Sequence, residues 1–201
     1  MDNISGELSH PLKYPSNVTY IGSLSRFERK DSVEKKYDLL ILISGPEPQR
    51  TIFEELLLTQ LQNYNGMVLL VRGLPGIDNN EEKNFNTYVQ SSNLAIKNHL
   101  SADDLCDAIQ ASQLVICRSG YTTIMDLVKL KQKAILVPTP GQTEQQYLAT
   151  HLMKQQFFYT TCQYGFSLTD ALKQAAGFSF KIPSFDMEQY KKAVNQFAQS
   201  L

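Results

Sequence analysis

Two consecutive strand–loop–helix units constrain the fold of this chain more than any other feature. The first has an apolar strand over 114–117, a tight turn at Ser119 and Gly120, and a helix with apolar residues at helical spacing. The second has an apolar strand over 134–137, a loop rich in proline and glycine, and a helix from about Glu144. Strands that alternate with helices pair in parallel and carry helices on their faces. The pattern therefore predicts an α/β domain.

The loops that follow such strands predict a ligand site. In α/β folds, ligands bind beyond the carboxyl ends of the strands. A helix that begins after a turn of small residues offers free N–H groups and the positive end of its dipole, which favours phosphate. We therefore expect the helix that opens with Tyr121, Thr122 and Thr123 to face an anion.

Segments on either side extend the alternation. The sequence predicts strands over 37–43, 66–71, 94–98 and 157–161, the third of them at a sheet edge, and helices over 49–64, 102–111, 167–175 and 185–201. A short strand is expected at Val18–Ile21, and charged or polar loops over 28–36 and 77–88. The last helix has an apolar stripe that consists of Met187, Tyr190, Ala193, Val194 and Phe197.

Composition excludes several classes of protein. The chain has 201 residues, a formal net charge of -1 and 42% hydrophobic residues, which is typical of one globular domain with no nucleic-acid partner. No apolar run approaches the roughly 20 residues of a membrane span. Cys106, Cys117 and Cys162 lack metal-ligand spacing and occupy positions that we expect to be buried, which favours reduced thiols in the cytoplasm.

A pair of motifs adds a resemblance to a known family. The run from Arg118 to Asp126 reads Arg-Ser-Gly-Tyr-Thr-Thr-Ile-Met-Asp, and Pro138 and Glu144-Gln-Gln follow it. This arrangement resembles the C-terminal half of two-Rossmann-domain (GT-B) glycosyltransferases, specifically the family 28 C-terminal domain of bacterial peptidoglycan N-acetylglucosaminyltransferases. The resemblance covers roughly residues 37–160. It implies a Rossmann-like three-layer domain with a parallel sheet over 37–201, preceded by an interdomain linker or a remnant of the N-terminal half over 1–36.

The resemblance also implies a nucleotide-sugar site. Loops that face the diphosphate would lie after the first strand and before the helix at 121, the nucleotide base would contact backbone atoms near Leu100, and an acidic residue would bind the ribose hydroxyls. Two adjacent glutamines would contact the donor sugar and the ribose. The residues at these positions are Ser44, Gly45, Arg50, Leu100, Ser119, Gly120, Tyr121, Thr122, Thr123, Asp126, Gln145 and Gln146.

Several of these residues have a second interpretation. Pro46 and Pro48 remove backbone donors from the first loop, and Arg50 is either its cation or an exposed first-turn arginine. Thr123 with Asp126 fits a capping box, as do the runs 101–104 and 143–146. Asp126 is also expected to pair with Arg118. We interpret His99 and His151 as structural.

The resemblance implies transfer of a hexosamine or hexose from a UDP-sugar to an acceptor hydroxyl, by an inverting reaction without a metal ion. The general base of the family belongs to the N-terminal domain, so we expect no catalytic residue here, no cofactor besides the UDP-sugar substrate, and no turnover by this chain alone. Three alternatives stay open: a nucleotide-sugar hydrolase or epimerase, a donor-binding subunit that pairs with a membrane-anchored partner, and a non-catalytic nucleotide-binding module.

The expected partners follow from the same resemblance. They are the UDP-sugar, an acceptor that the sequence does not identify, and a missing N-terminal domain or a partner subunit. The resemblance also allows peripheral association of the full-length protein with the inner face of the membrane.

Overall fold

The computed structural model describes residues 4–10, 13, 18–76 and 93–199. Within these ranges, six parallel strands form one sheet, and helices alternate with most of the strands along the chain, in agreement with the α/β prediction. The strands are β1 (Tyr37–Leu42), β2 (Val68–Val71), β3 (Leu94–Lys97), β4 (Ser112–Cys117), β5 (Ala134–Leu136) and β6 (Tyr159–Thr160). The helices are α1 (Gln49–Leu61), α2 (Ala102–Gln110), α3 (Tyr121–Lys129), α4 (Thr143–Lys154), α5 (Leu168–Ala176) and α6 (Gln189–Gln199).

The order of the strands fixes where a ligand can enter. The sheet runs β3-β2-β1-β4-β5-β6, so β1 lies between β2 and β4, with Leu40 opposite both Leu69 and Val115. The chain proceeds from β1 to the edge strand β3, crosses back to β4, and then proceeds to the other edge. The strand order therefore reverses between β1 and β4, which opens a crevice beyond their carboxyl ends.

The core has one apolar layer on each face of the sheet. Successive residues of a strand point to opposite faces, so Leu39 and Ile41 contact one layer while Leu40 contacts the other. Helices α2, α3 and α4 cover the face of Leu40, and α1 and α5 cover the face of Leu39. The later residues of the central strands are buried on both faces, which explains the continuous apolar runs at 39–42 in β1 and 114–117 in β4. The structure thus has three layers, as predicted.

The segment before β1 differs from the prediction. Val18–Ile21 is not a strand, and Val18, Tyr20 and Ile21 are exposed to solvent. Its apolar residues do not form a strand because no neighbouring strand of the described sheet pairs with it. The charged loop over 28–36 is confirmed, whereas the loop predicted over 77–88 lies outside the described residues.

One prediction about burial is wrong, that for Cys162, and the apolar stripe of the last helix is largely exposed to solvent within α6. Helix α6 has no buried residue, and Val194 and Phe197 of its apolar stripe are 56% and 66% exposed. Cys162 is exposed, while Cys106 and Cys117 are buried thiols as expected. Apolar character alone did not distinguish a core position from a surface position at these residues.

Within the described ranges, no helix combines the length and the apolar character that crossing a membrane requires.

We expect Gly73→Ala to destabilise the fold strongly. Gly73 follows β2 with a φ of +69°, and an added Cβ would lie 2.2 Å from the carbonyl oxygen of Ile43. The matched control is Gly165→Ala, because Gly165 has a φ of +66° but nothing within 4 Å of an added Cβ. Urea unfolding should show a loss of about 1 kcal/mol for the control and about 3 kcal/mol or more for Gly73→Ala. Equal losses would contradict the close approach of β2 to Ile43.

Candidate functional site

Helices α3 and α4 begin side by side without a capping side chain. Their N-caps, Gly120 and Gln142, make no side-chain cap hydrogen bond, whereas Ser101 and Ser167 cap α2 and α5. The hydroxyl of Ser119 is buried and donates to the carbonyl oxygen of Gln145 at 2.8 Å, which ties the start of α3 to the first turn of α4. Two uncapped helices therefore begin just after the adjacent strands β4 and β5, and both present first-turn N–H groups. Such groups bind anions.

Two of the three predicted capping boxes are wrong, because α3 and α4 begin at other residues than the boxes require. Helix α3 begins at Tyr121, so Thr123 lies inside the first turn and is not the N-cap. Helix α4 begins at Thr143 itself, with Gln142 as its N-cap. The third predicted box is confirmed, since Ser101 accepts a hydrogen bond from the N–H of Asp104 at 3.1 Å.

Arg118 lies beneath the crevice, and its hydrogen bonds within the described part of the chain all go to carbonyl oxygens. It is 2% exposed and donates to Gln49 O at 3.0 Å, to Val137 O at 3.2 Å, to Ser44 O at 3.4 Å and to Pro138 O at 3.5 Å. Its guanidinium also stacks over the ring of Phe53, 4.4 Å from the centroid. One side chain thereby joins the loops that follow β1, β4 and β5.

Arg118 does not form the predicted ion pair with Asp126. No carboxylate among the described residues pairs with it, because its donors are directed to the carbonyl oxygens below the crevice. Burial lowers the pKa of Arg118 to about 10. At neutral pH it is therefore a buried cation whose charge is not neutralised by a carboxylate of the described chain.

The loop after β1 contacts the loop after β5. Gly45 has a φ of +106°, and a Cβ there would lie 3.3 Å from Oγ1 of Thr139. Thr139 is 1% exposed, and its hydroxyl oxygen has no hydrogen-bond partner among the described residues. A buried polar atom without a partner is uncommon in proteins. Sequence reasoning missed Thr139, since Pro-Thr-Pro reads as an ordinary loop.

Arg50 is neither exposed nor directed at the crevice. It is buried, and it donates to Glu47 at 2.5 Å and to Glu54 at 2.8 Å. Arg72 also pairs with Glu54, so the two cations are compensated by carboxylates. The interpretation of Arg50 as an exposed first-turn arginine is therefore wrong, because ion pairs with Glu47 and Glu54 hold its guanidinium in a buried position.

The N-terminus of α1 is already occupied by its own loop. The N–H of Arg50 donates to Pro46 O at 3.1 Å, and the N–H of Thr51 donates to a carboxylate oxygen of Glu47 at 3.2 Å. An acidic side chain at this position disfavours phosphate. Ser44 and Gly45 border the crevice as exposed residues, but the helix behind them offers less to an anion than α3 and α4 do.

Asp126 lies on the second turn of α3, half-buried. Its Oδ1 accepts a hydrogen bond from Ser25 Oγ at 2.6 Å. Burial raises the pKa of Asp126, while the Ser25 hydroxyl and the charge of Arg26 act in the opposite direction. Sequence reasoning missed this contact, because Ser25 is about a hundred residues away and lies in a segment without regular structure.

The two glutamines of α4 differ in their surroundings. Oε1 of Gln145 accepts from the N–H of Thr139 at 2.9 Å, and its amide donates to Gln142 at 2.5 Å, so it holds the loop over 139–142. Gln146 is exposed in the first turn of α4. The structure thus makes Gln145 part of the loop and leaves Gln146 open to solvent.

Leu100 lies apart from these residues in the described structure. It lines a groove of about 650 Å³ beside α2, together with His99, Ser101 and Asp104. The described residues that line this groove include none from α3 or α4. The structure therefore brings together the loops at 44–45, 119–123 and 138–146 around Arg118, and places Leu100 at the neighbouring strand end.

A family model and solved structures match most of the chain. Residues 50–197 match the model of the glycosyltransferase family 28 C-terminal domain. A curated relative from Haemophilus ducreyi, UDP-N-acetylglucosamine--N-acetylmuramyl-(pentapeptide) pyrophosphoryl-undecaprenol N-acetylglucosamine transferase, is 30% identical over 128 residues. That match covers 63% of this chain and 35% of the relative, so the chain spans about a third of the relative's length.

Solved structures share the fold. The crystal structure of MurG from Acinetobacter baumannii aligns with a TM-score of 0.58 at 16% identity, and covers 95% of this chain and 58% of that one. The glycotransferase of kitacinnamycin aligns with a TM-score of 0.60 at 13% identity, and covers 91% and 49% respectively. At these identities the likeness shows the fold alone.

We expect Arg118→Met to lower the free energy of unfolding by about 2 kcal/mol or more, because it removes the donor from buried carbonyl oxygens. Arg118→Lys should also destabilise, since an ammonium cannot reproduce the planar fork. The matched control is Arg29→Met at an exposed arginine, where a change within about 0.5 kcal/mol is expected. Urea unfolding measures all three, and an Arg118→Met variant as stable as the original chain would contradict the loop-joining role.

Proposed function

The chain belongs to the glycosyltransferase family 28 C-terminal domains, and from this premise we propose that it is the donor-binding half of a glycosyltransferase. The proposed donor is a UDP-linked hexosamine or hexose. The proposed reaction transfers that sugar to an acceptor hydroxyl with inversion and without a metal ion. The name of the curated relative specifies UDP-N-acetylglucosamine as the donor of that protein, which supports the choice of UDP.

One observation carries the proposal: two adjacent uncapped helix starts lie above a buried cation. The first turns of α3 and α4 are tied by Ser119, and Arg118 supplies a positive charge that no described carboxylate pairs with. Backbone N–H groups and helix dipoles at such a place favour a diphosphate. We assign the diphosphate to the first turn of α3, formed by Tyr121, Thr122 and Thr123, with Gly120 as the close-approach residue.

Other residues in the proposal recognise the rest of the donor. Asp126 accepts hydrogen bonds from the ribose hydroxyls. Gln146 forms hydrogen bonds with the sugar hydroxyls, because its amide is exposed and can both donate and accept. The base lies against backbone atoms near Leu100. Arg50 has no phosphate-binding role in this proposal, because Glu47 and Glu54 already engage it.

This arrangement can stabilise a leaving group. Charge develops on the diphosphate as the bond to the sugar breaks, and positioned N–H groups stabilise that charge without reorganising. Deprotonation of the acceptor hydroxyl requires a general base. We place that base in the other half of the enzyme, so this chain binds the donor and depends on its partner for turnover.

We place the acceptor site in the same half of the enzyme as the general base. The name of the curated relative specifies a lipid-linked acceptor, pyrophosphoryl-undecaprenol with an attached peptide-bearing sugar. An acceptor of that chemistry would bring the complete protein to a membrane surface. We extend this only to the statement that the acceptor site lies outside the described crevice.

We expect the chain to bind UDP and UDP-N-acetylglucosamine in calorimetric titrations, and to bind ADP and GDP more weakly. Asp126→Ala should weaken UDP binding about tenfold, or about 1.4 kcal/mol, because the ribose loses a charged acceptor. The matched control is Asp170→Ala, which removes an exposed carboxylate in the first turn of α5 and should leave the affinity unchanged. Equal affinity for all three nucleotides, or no UDP binding, would contradict the proposal.

We expect Gln146→Ala to act on the sugar and not on the nucleotide. Loss of one neutral hydrogen bond, about 1 kcal/mol, corresponds to a roughly fivefold weaker affinity for UDP-N-acetylglucosamine, with the affinity for UDP unchanged. Lys154→Ala, at the exposed far end of the same helix, is the control. If Gln146→Ala weakens both ligands equally, the residue contacts the nucleotide and the assignment is wrong.

A further inference from the structure

The segment before β1 forms a hydrogen bond to Asp126 of α3, the residue that the proposed function assigns to the ribose. Ser25 Oγ donates to Asp126 Oδ1 at 2.6 Å, and the N–H of Leu24 donates to Sδ of Met125 at 3.2 Å. Phe27, two residues further on, is 3% exposed and packs in the core with α2 and α3. The segment is therefore anchored on both sides of Ser25.

The hydrogen bonds of Ser25 give its hydroxyl one orientation. Its oxygen accepts from the N–H of Phe27 at 3.1 Å, which leaves its proton for the carboxylate. Oδ1 of Asp126 is thus occupied by a donor of fixed direction. Oδ2 makes no hydrogen bond to any residue in the described ranges, so one oxygen is held and the other is available.

We propose that Ser25 is a positioning and specificity residue of the donor site: it holds one oxygen of Asp126 so that the other accepts the ribose hydroxyls. This inference rests on the proposed function, since it presumes a ribose at Asp126. A short aspartate side chain has two torsions to fix, and a hydrogen-bonded partner reduces that freedom before the ligand arrives. Preorganisation of this kind strengthens binding by lowering its ordering cost.

The charge state of Asp126 supports the same role. Burial raises the pKa of this carboxyl, whereas the Ser25 hydroxyl and Arg26 favour the ionised form. Lys129 lies one turn along α3 from Asp126, and it pairs with Glu28 at 3.2 Å. Ribose hydroxyls donate to an ionised carboxylate, so affinity is lost as the pH falls through the pKa of Asp126. Without the Ser25 hydroxyl that pKa rises, and the loss occurs at higher pH.

The test compares ribose with deoxyribose on Ser25→Ala and Ser25→Thr. Calorimetry on the 201-residue chain measures the affinities for UDP and for 2′,3′-dideoxy-UDP across a range of pH. The original chain should prefer UDP about tenfold or more, and Ser25→Ala should reduce this preference to about threefold or less. Ser25→Ala should also move the acid limit of UDP binding to higher pH. Ser25→Thr, which keeps the hydroxyl, should retain both properties.

The control and the outcomes separate this inference from the proposed function. Ser23→Ala removes a nearby hydroxyl of the same segment and should change neither property, and thermal unfolding verifies that every variant folds. If the original chain prefers UDP but Ser25→Ala keeps both the preference and the acid limit, the role of Ser25 is overturned while the proposed function stands. If Ser25→Ala weakens the affinities for UDP and for dideoxy-UDP equally, Ser25 has a structural role only, and the proposed positioning role is also overturned. Absence of UDP binding to the original chain overturns both.

Discussion

The arrangement of the crevice depends on the buried guanidinium of Arg118. Loops have few hydrogen bonds of their own, so loops that meet at a sheet edge need a shared partner. Arg118 supplies that partner, because its planar fork reaches carbonyl oxygens after β1 and after β5 from a position at the end of β4. Lysine could not do this with one ammonium group. The relative positions of three loops thus follow from one side chain.

The cost of this arrangement is a buried charge without a carboxylate. Two other arginines near the same edge, Arg50 and Arg72, are compensated by the carboxylate of Glu54. Arg118 is different, and burial depresses its pKa. An anion above the crevice would offset that cost, which is the electrostatic reason for assigning the diphosphate there. The compensated arginines stabilise the neighbouring strand ends and offer little to a ligand.

The sequence predicted the fold far better than the contacts within the site. Continuous apolar runs such as Val68–Val71 identify strands buried on both faces, and burial on both faces is what the sheet required. Capping patterns were less reliable. A threonine three residues before an acid is a local signal, but the turn at Gly120 sets where α3 begins. The partner of Asp126 lies on another segment, and no local pattern encodes a contact across a hundred residues. The carboxylate partners of Arg50 are local, but their spacing does not show that the pair is buried.

The contrast among helix starts links stability to function. Ser101 and Ser167 cap α2 and α5, and such caps stabilise helices by about 1 kcal/mol each. Helices α3 and α4 lack this stabilisation, and they are the two that follow adjacent strands next to the switch point of the sheet. A capping side chain would occupy the N–H groups that a diphosphate needs. Among α1 to α5 in the described chain, the first turns of α3 and α4 are thus the ones that receive no side-chain hydrogen bond, and they are the ones to which we assign the diphosphate. The start of α1 is closed by Pro46 and Glu47.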